Sequence, residues 1–127
     1  MTMLLDSNII IYSYQAEYQT IDDLITANPI KLSEISYLET IGYQKITPAE
    51  EQYLRALFSS ATVLPIDTRI IKQATALRQK RKMSLGDAII AATALIHDLT
   101  LVTCNTDDFK WIPDFKLINP IDGGLND

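Results

Sequence analysis

Short apolar runs alternate along this chain with longer segments of helical period, and that alternation restricts the fold more than any other feature. Met3-Leu4-Leu5, Ile30-Lys31-Leu32, Thr62 to Ile66, Thr100 to Thr103 and Phe115 to Ile118 read as strands. Helices are predicted over Ile9 to Tyr14, Thr20 to Ala27, from a Ser33 cap to about Gln44, and from Thr47-Pro48-Ala49-Glu50 to about Ser60. Asp67 caps another, ending in Arg78-Gln79-Lys80-Arg81-Lys82, and Ser84 opens an Ala- and Ile-rich helix from Leu85 to about Asp98. Apolar on nearly all faces, that last helix is expected to be buried on more than one side. Strand–helix alternation of this kind predicts an α/β domain around a mainly parallel central sheet.

The 127 residues, 47% hydrophobic and 21% charged, suffice for one domain, residues 1–127, with a core that needs no staple. Cys104 is the single cysteine and His97 the single histidine, which excludes an internal disulfide and the usual zinc-ligand sets. No run approaches a membrane span. Asp6 and Asn8 interrupt the first apolar run, so it does not read as a signal peptide, and a cytoplasmic chain is expected. The net charge of −5 argues against simple gripping of nucleic-acid backbone. It argues less against a nuclease, in which a divalent ion supplies positive charge where the reaction occurs.

In open parallel sheets, function gathers beyond the carboxyl ends of the strands. Asp6 directly follows the first strand, Asp108 lies in the loop after Leu101-Val102-Thr103, Asp87 is in the first turn of the apolar helix, and Glu39 is within another helix. Gathered at one edge, four carboxylates repel one another unless a cation intervenes. A hydrated Mg²⁺ resolves that conflict and activates water against a phosphodiester. Each acid also has a structural reading. Ser84-Leu85-Gly86-Asp87 spells a capping box, an Asp after a first strand is a common turn residue, and Asp107 is a neighbouring alternative to Asp108. Glu39 shares a helix face with Ile35 and Tyr43, an unusual place for a solvated acid.

Taken in order, Leu4-Leu5-Asp6-Ser7-Asn8-Ile9, the segment Leu32 to Glu39, the segment Leu85 to Ala94, and Leu101 to Phe109 followed by Ile112-Pro113 and Asn119-Pro120 resemble the PIN-domain nucleases, specifically the VapC-type toxins of toxin–antitoxin pairs. The resemblance spans essentially the whole chain. It implies a PIN-like three-layer fold, endoribonuclease activity dependent on Mg²⁺ (or Mn²⁺), a homodimer and inhibition by a cognate antitoxin. Carried over residue by residue, it makes Asp6, Glu39, Asp87 and Asp108 catalytic, with Asp6, Asp87 and Asp108 holding the metal and Asn8 and Thr103 in support. Asn105 stands where many members have an acid, which favours one metal over two, and Cys104 stands where many have a basic residue. Two other readings remain: a PIN-fold binding module with weakened catalysis, and a phosphoryl-transfer enzyme using Asp6 as nucleophile.

Other residues invite functional readings beside plainer ones. Arg78, Lys80, Arg81 and Lys82 are possible RNA contacts, although cations near a helix C-terminus also complement its dipole. His97 is a candidate general acid or a dipole-favoured side chain. Trp111, with Phe109 and Phe115, is a candidate base-stacking surface or core, and Tyr12, Tyr14 and Tyr18 are candidates for a dimer or antitoxin surface.

Overall fold

The computed structural model describes residues 1–15 and 18–121. The expected alternation is present: β1 (Met3–Leu5), α1 (Ser7–Ser13), α2 (Gln19–Ala27), β2 (Ile30–Ser33), α3 (Glu34–Ile41), α4 (Pro48–Ser60), β3 (Thr62–Leu64), α5 (Thr68–Lys80), α6 (Leu85–His97), β4 (Thr100–Val102) and β5 (Leu117–Ile118). All pairings are parallel, and the sheet order is β3-β2-β1-β4-β5. The chain builds outward from β1 to β3, then returns to the other side of β1 for β4 and β5. The crevice between β1 and β4 is therefore the topological switch point, where open α/β sheets place their sites.

Side chains alternate across each strand, and each face receives its own helices. Leu4 and Leu101 enter a core with Ile70, Leu77 and Ala91 from α5 and α6. Met3, Leu5 and Val102 enter another with Ile9, Ile21, Leu54 and Phe58 from α1, α2 and α4. Burial on both faces explains why the strands read as continuous apolar runs rather than as alternating ones. It also makes three layers. On α6 the buried set Ala88, Ile90, Ala91, Ala92, Thr93 and Ala94 covers most of the circumference, as its composition predicts.

Caps set the helix starts. Asp6, Ser33, Thr47, Asp67 and Ser84 each accept a backbone N–H at the head of a helix, and Thr47 with Glu50 completes a reciprocal capping box. Several ends differ from expectation by a few residues, α1 beginning at Ser7 rather than Ile9 and β4 ending at Val102 rather than Thr103 among them, and three have a clear local cause. α3 stops at Ile41 rather than near Gln44, closed by Gly42, where a Cβ would collide with the Leu38 carbonyl. β3 stops at Leu64 rather than Ile66, because Pro65 has no N–H for the ladder. The Ile66 N–H instead donates to Glu34 Oε1 at 3.0 Å. β5 begins at Leu117 rather than Phe115, whose ring stacks on Phe109.

Candidate active site

Asp6 is where β1 becomes α1. Its Oδ1 accepts the Ser7 N–H at 2.8 Å, and its Oδ2 accepts the Thr103 hydroxyl at 2.8 Å across the β1/β4 crevice. The residue is only 6% exposed, so its charge is held by these two donors rather than by bulk water. Burial is the main force pushing its carboxyl above the ordinary value. The Thr103 and Ser7 hydrogen bonds oppose the rise, and the charges of Glu39 and Asp108 add to it. Thr103 is itself fully buried and accepts the Asn105 N–H at 3.0 Å, so one hydroxyl orients both Asp6 and the start of the next loop.

Glu39 is an exposed residue of α3 whose carboxylate reaches towards α1 and α6. Ser7 Oγ lies 2.7 Å from its Oε1 and 2.9 Å from Ser36 Oγ, which ties the acid to the first turn of α1. Its other oxygen rests against the backbone of α6: a Cβ on Gly86 would lie 2.5 Å from Glu39 Oε2. Glycine at position 86 therefore makes room for an acid from another helix.

Asp87 follows in the first turn of α6. Its N–H donates to Ser84 Oγ at 3.1 Å, the capping half of the motif read from the sequence. Its half-buried carboxyl is also raised above the ordinary value, first by burial, then by the charges of Asp6 and Asp108, with Glu39 adding and a Ser84 hydrogen bond opposing. The cap is Ser84, and Asp87 enters it through its backbone N–H, which leaves the Asp87 carboxyl for its place among the acids. Asp108 ends a 3₁₀ turn (Thr106–Asp108) after β4 and is exposed. Asp107 lines the same cleft as Asp87 and Asp108 but is paired with Lys110 at 2.6 Å, and hydrogen bonding to that lysine lowers its pKa.

The four expected carboxylates are thus brought to the carboxyl edge of the sheet, close enough for mutual repulsion to register on Asp6 and Asp87. Among the described residues, no group of three or more His, Cys, Asp or Glu side chains stands ready to enclose a metal ion. Mg²⁺ does not need such a cage, since it binds through one or two carboxylates and keeps several waters. An all-oxygen donor set in which burial and neighbouring negative charge disfavour ionisation of Asp6 and Asp87 fits a hard, hydrated divalent ion. Asn8 sits exposed in the first turn of α1, and Asn105 is exposed beside the 3₁₀ turn.

The basic segment divides. Arg78 is used structurally, its Nε donating to the Met83 carbonyl at 3.1 Å, and Lys80 ends α5 exposed. Arg81 and Lys82 instead line a cleft of about 430 Å³ whose other walls include Ser84, Asp87 and Asp108. His97 is at the far end of α6 from Asp87, about 15 Å away at the helical rise, which removes it as a general acid for this site. Phe109 is fully buried and Trp111 and Phe115 pack against the same core, the plainer of their two readings; Trp111 also donates its Nε1 to the Asp108 carbonyl at 3.0 Å, and its ring lies under the Arg81 guanidinium. Cys104 packs at the margin of the α1/α2 core. Tyr12 and Tyr18 stack on each other, while Tyr14 is exposed at the edge of an apolar groove with Ile11, Tyr43 and Ile46.

Sequence reasoning did not find Ser7, Ser36 or Gly86 as supports of Glu39. Only Ser36, three residues before Glu39 on the same helix, carries a local signal.

A sequence model of the PIN domain matches residues 3–114. Ribonuclease VapC10 of Mycobacterium tuberculosis is 31% identical over 126 residues, covering 93% of this chain and 91% of its own. Among solved structures, a chain in a toxin-antitoxin complex from Klebsiella pneumoniae superposes with a TM-score of 0.78 at 35% identity, covering 93% of this chain and 97% of its own. A chain of VapBC-1 from nontypeable Haemophilus influenzae gives a TM-score of 0.75 at 26% identity, covering 94% and 98%.

Proposed function

The chain belongs to the PIN-domain family and, within it, to the VapC ribonucleases, and from that footing we propose that it is a Mg²⁺-dependent endoribonuclease acting in the cytoplasm as the toxin of a toxin–antitoxin pair. The observation that carries the chemistry is the gathering of four carboxylates at the switch point of the sheet: Asp6 held by Ser7 and Thr103, Glu39 held by Ser7 against Gly86 of α6, and Asp87 and Asp108 lining one cleft.

Asp6, Asp87 and Asp108 would hold the ion, one or two of them directly and the rest through its waters, with Mn²⁺ as a substitute. When bound, it supplies a water of lowered pKa and neutralises charge developing on the phosphate. The chain's own residues prepare for this. Ser7 N–H and Thr103 Oγ1 fix the plane of the Asp6 carboxylate and leave each oxygen a further lone pair. Ser7 Oγ and the bare backbone at Gly86 fix Glu39, which remains exposed and able to accept a proton from water. The N-terminus of α6 adds a partial positive charge beside Asp87.

Two apolar surfaces support the reading that the chain has protein partners, a second copy of itself and an antitoxin. Ile71 and Leu85, 48% and 64% exposed, border an open groove between α5 and α6. Ile11, Tyr14 and Tyr43 border the groove beside Glu39.

Purified protein incubated with total RNA tests the activity. Cleavage in Mg²⁺ or Mn²⁺ that EDTA and Asp6→Asn both abolish is expected. A folded wild-type protein that cuts no RNA yet binds a partner protein would instead identify a binding module, the reading favoured by the uncharged Asn105 at the rim. Phosphate trapped on Asp6 during turnover would identify phosphoryl transfer.

A further inference from the structure

Positive charge is scarce here: 11 Lys and Arg against 16 Asp and Glu. Arg55, Arg69, Lys110 and Lys116 are held in ion pairs, and Arg78 is committed to the Met83 carbonyl. Lys31, Lys45, Lys72 and Lys80 also lie outside any ion pair among the described residues, but Arg81 and Lys82 differ from them in where they lie. Both are exposed, and they line the same cleft as Asp87 and Asp108, yet among the described residues neither forms an ion pair. Such a cleft has an anion-holding wall facing a cation-holding wall. Its two walls are kept apart rather than neutralised against each other.

The basic wall is also held in place. α5 ends at Lys80, and Arg81 takes extended backbone with its N–H donating to the Leu77 carbonyl. That turn carries the guanidinium over the Trp111 ring, 5.6 Å from its centroid. Trp111 in turn donates Nε1 to the carbonyl of Asp108, one of the opposing acids. A single indole therefore sets the spacing between the Arg81 guanidinium and the Asp108 turn. With one face covered by the ring, the planar guanidinium keeps its N–H edge for an anion that offers two oxygens, as a phosphate does.

Resting on the ribonuclease reading, we propose that Arg81 and Lys82 bind the phosphodiester backbone of the RNA strand beside the scissile phosphate, with Trp111 as the positioning residue that holds Arg81 at the right distance from the carboxylates. Phosphate contacts of this kind carry no base information, so the wall sets strand register and leaves sequence choice to other residues.

Binding of a short fluorescein-labelled single-stranded RNA of mixed sequence, followed by anisotropy against salt in EDTA, tests this. EDTA stops cleavage and leaves the carboxylate charge of the site equal in all the variants compared. Each of Arg81→Gln and Lys82→Gln is expected to make the plot of log affinity against log salt shallower by about 0.7, the value for one phosphate contact on a single strand. Lys72→Gln, the same charge change on the exposed side of α5, is expected to run parallel to wild type. Trp111→Leu is expected to lose the Arg81 share of the slope, and Trp111→Tyr, which keeps a ring face but not the Nε1–H, to recover part of it. A merely structural role for Trp111 would lower the melting temperature without moving the slope. Parallel slopes for Arg81→Gln, Lys82→Gln and wild type, in a protein that still cleaves RNA in Mg²⁺, would overturn the basic wall and leave the ribonuclease standing. Equal losses for all three cation variants would overturn it too, as a bulk-charge effect. Absence of both binding and cleavage in wild type would overturn the wall and the ribonuclease together.

Discussion

Thr103 and Asp6, 97 residues apart in sequence, are joined by a 2.8 Å hydrogen bond across the crevice between β4 and β1. Thr103→Val keeps the shape of the side chain and deletes the donor. The buried carboxylate would then keep only the Ser7 N–H, and the Asn105 N–H would lose its acceptor. Hydrogen bonds to charged groups contribute about 1.5–3 kcal/mol, so a loss of that size is expected in urea denaturation at neutral pH. The loss should shrink in acid, where Asp6 is protonated, and the acid limb of the cleavage profile should move to higher pH.

Asp6→Asn separates burial from capping. Burial raises the folded-state pKa of Asp6 above its unfolded value. Its ionisation therefore costs stability above the folded pKa, and that cost is relieved as pH falls through the folded pKa towards the unfolded one. Asn caps a helix as well as Asp does. Without divalent ions, the variant is expected to be at least as stable as wild type at neutral pH, and the difference should narrow on acidification. MgCl₂ is expected to raise the melting temperature of wild type by mass action and to leave Asp6→Asn unmoved. A variant less stable at neutral pH than in acid, relative to wild type, would mean that burial does not dominate.

At the head of α6, Ser84 and Asp87 should part company. Ser84→Ala removes the cap acceptor and is expected to cost about 0.5–2 kcal/mol while cleavage persists. Asp87→Asn should abolish cleavage with little change in the unfolding midpoint. Paired denaturation curves and initial rates distinguish the two roles.

Gly86→Ala sets stability against activity. Alanine is better than glycine in a helix by about 0.8–1.0 kcal/mol, so the melting temperature should hold or rise. The new methyl would meet Glu39 Oε2 at 2.5 Å and displace that carboxylate. A fall in kcat in a protein of undiminished stability is the expected result; unchanged kcat would show that the position of Glu39 does not matter.

The strand–helix alternation and the parallel sheet were legible because they follow from periodicity. Met3-Leu4-Leu5 and Leu101-Val102 are apolar on both sides, as central parallel strands must be, and the caps announce themselves locally. Asp6 and Asp87 were legible for the same reason, each lying where one element ends or begins. The supports were not. Ser7 reaches Glu39 from 32 residues away, and Gly86 matters through an acid on a different helix, so neither leaves a pattern within its own segment. The basic segment from Arg78 to Lys82 looked uniform until the end of α5 turned Arg81 and Lys82 into the cleft and kept Arg78 against its own loop.

The placement of β1 between β2 and β4 also governs when the molecule becomes competent during its own synthesis. Asp6, Glu39 and Asp87 all leave the ribosome before Thr100–Val102, the strand that closes the crevice and brings Thr103 to Asp6. A nascent chain lacking that last quarter carries most of the acids but has no crevice in which to hold them. Competence therefore comes with a single late, long-range strand pairing, not in instalments along the chain.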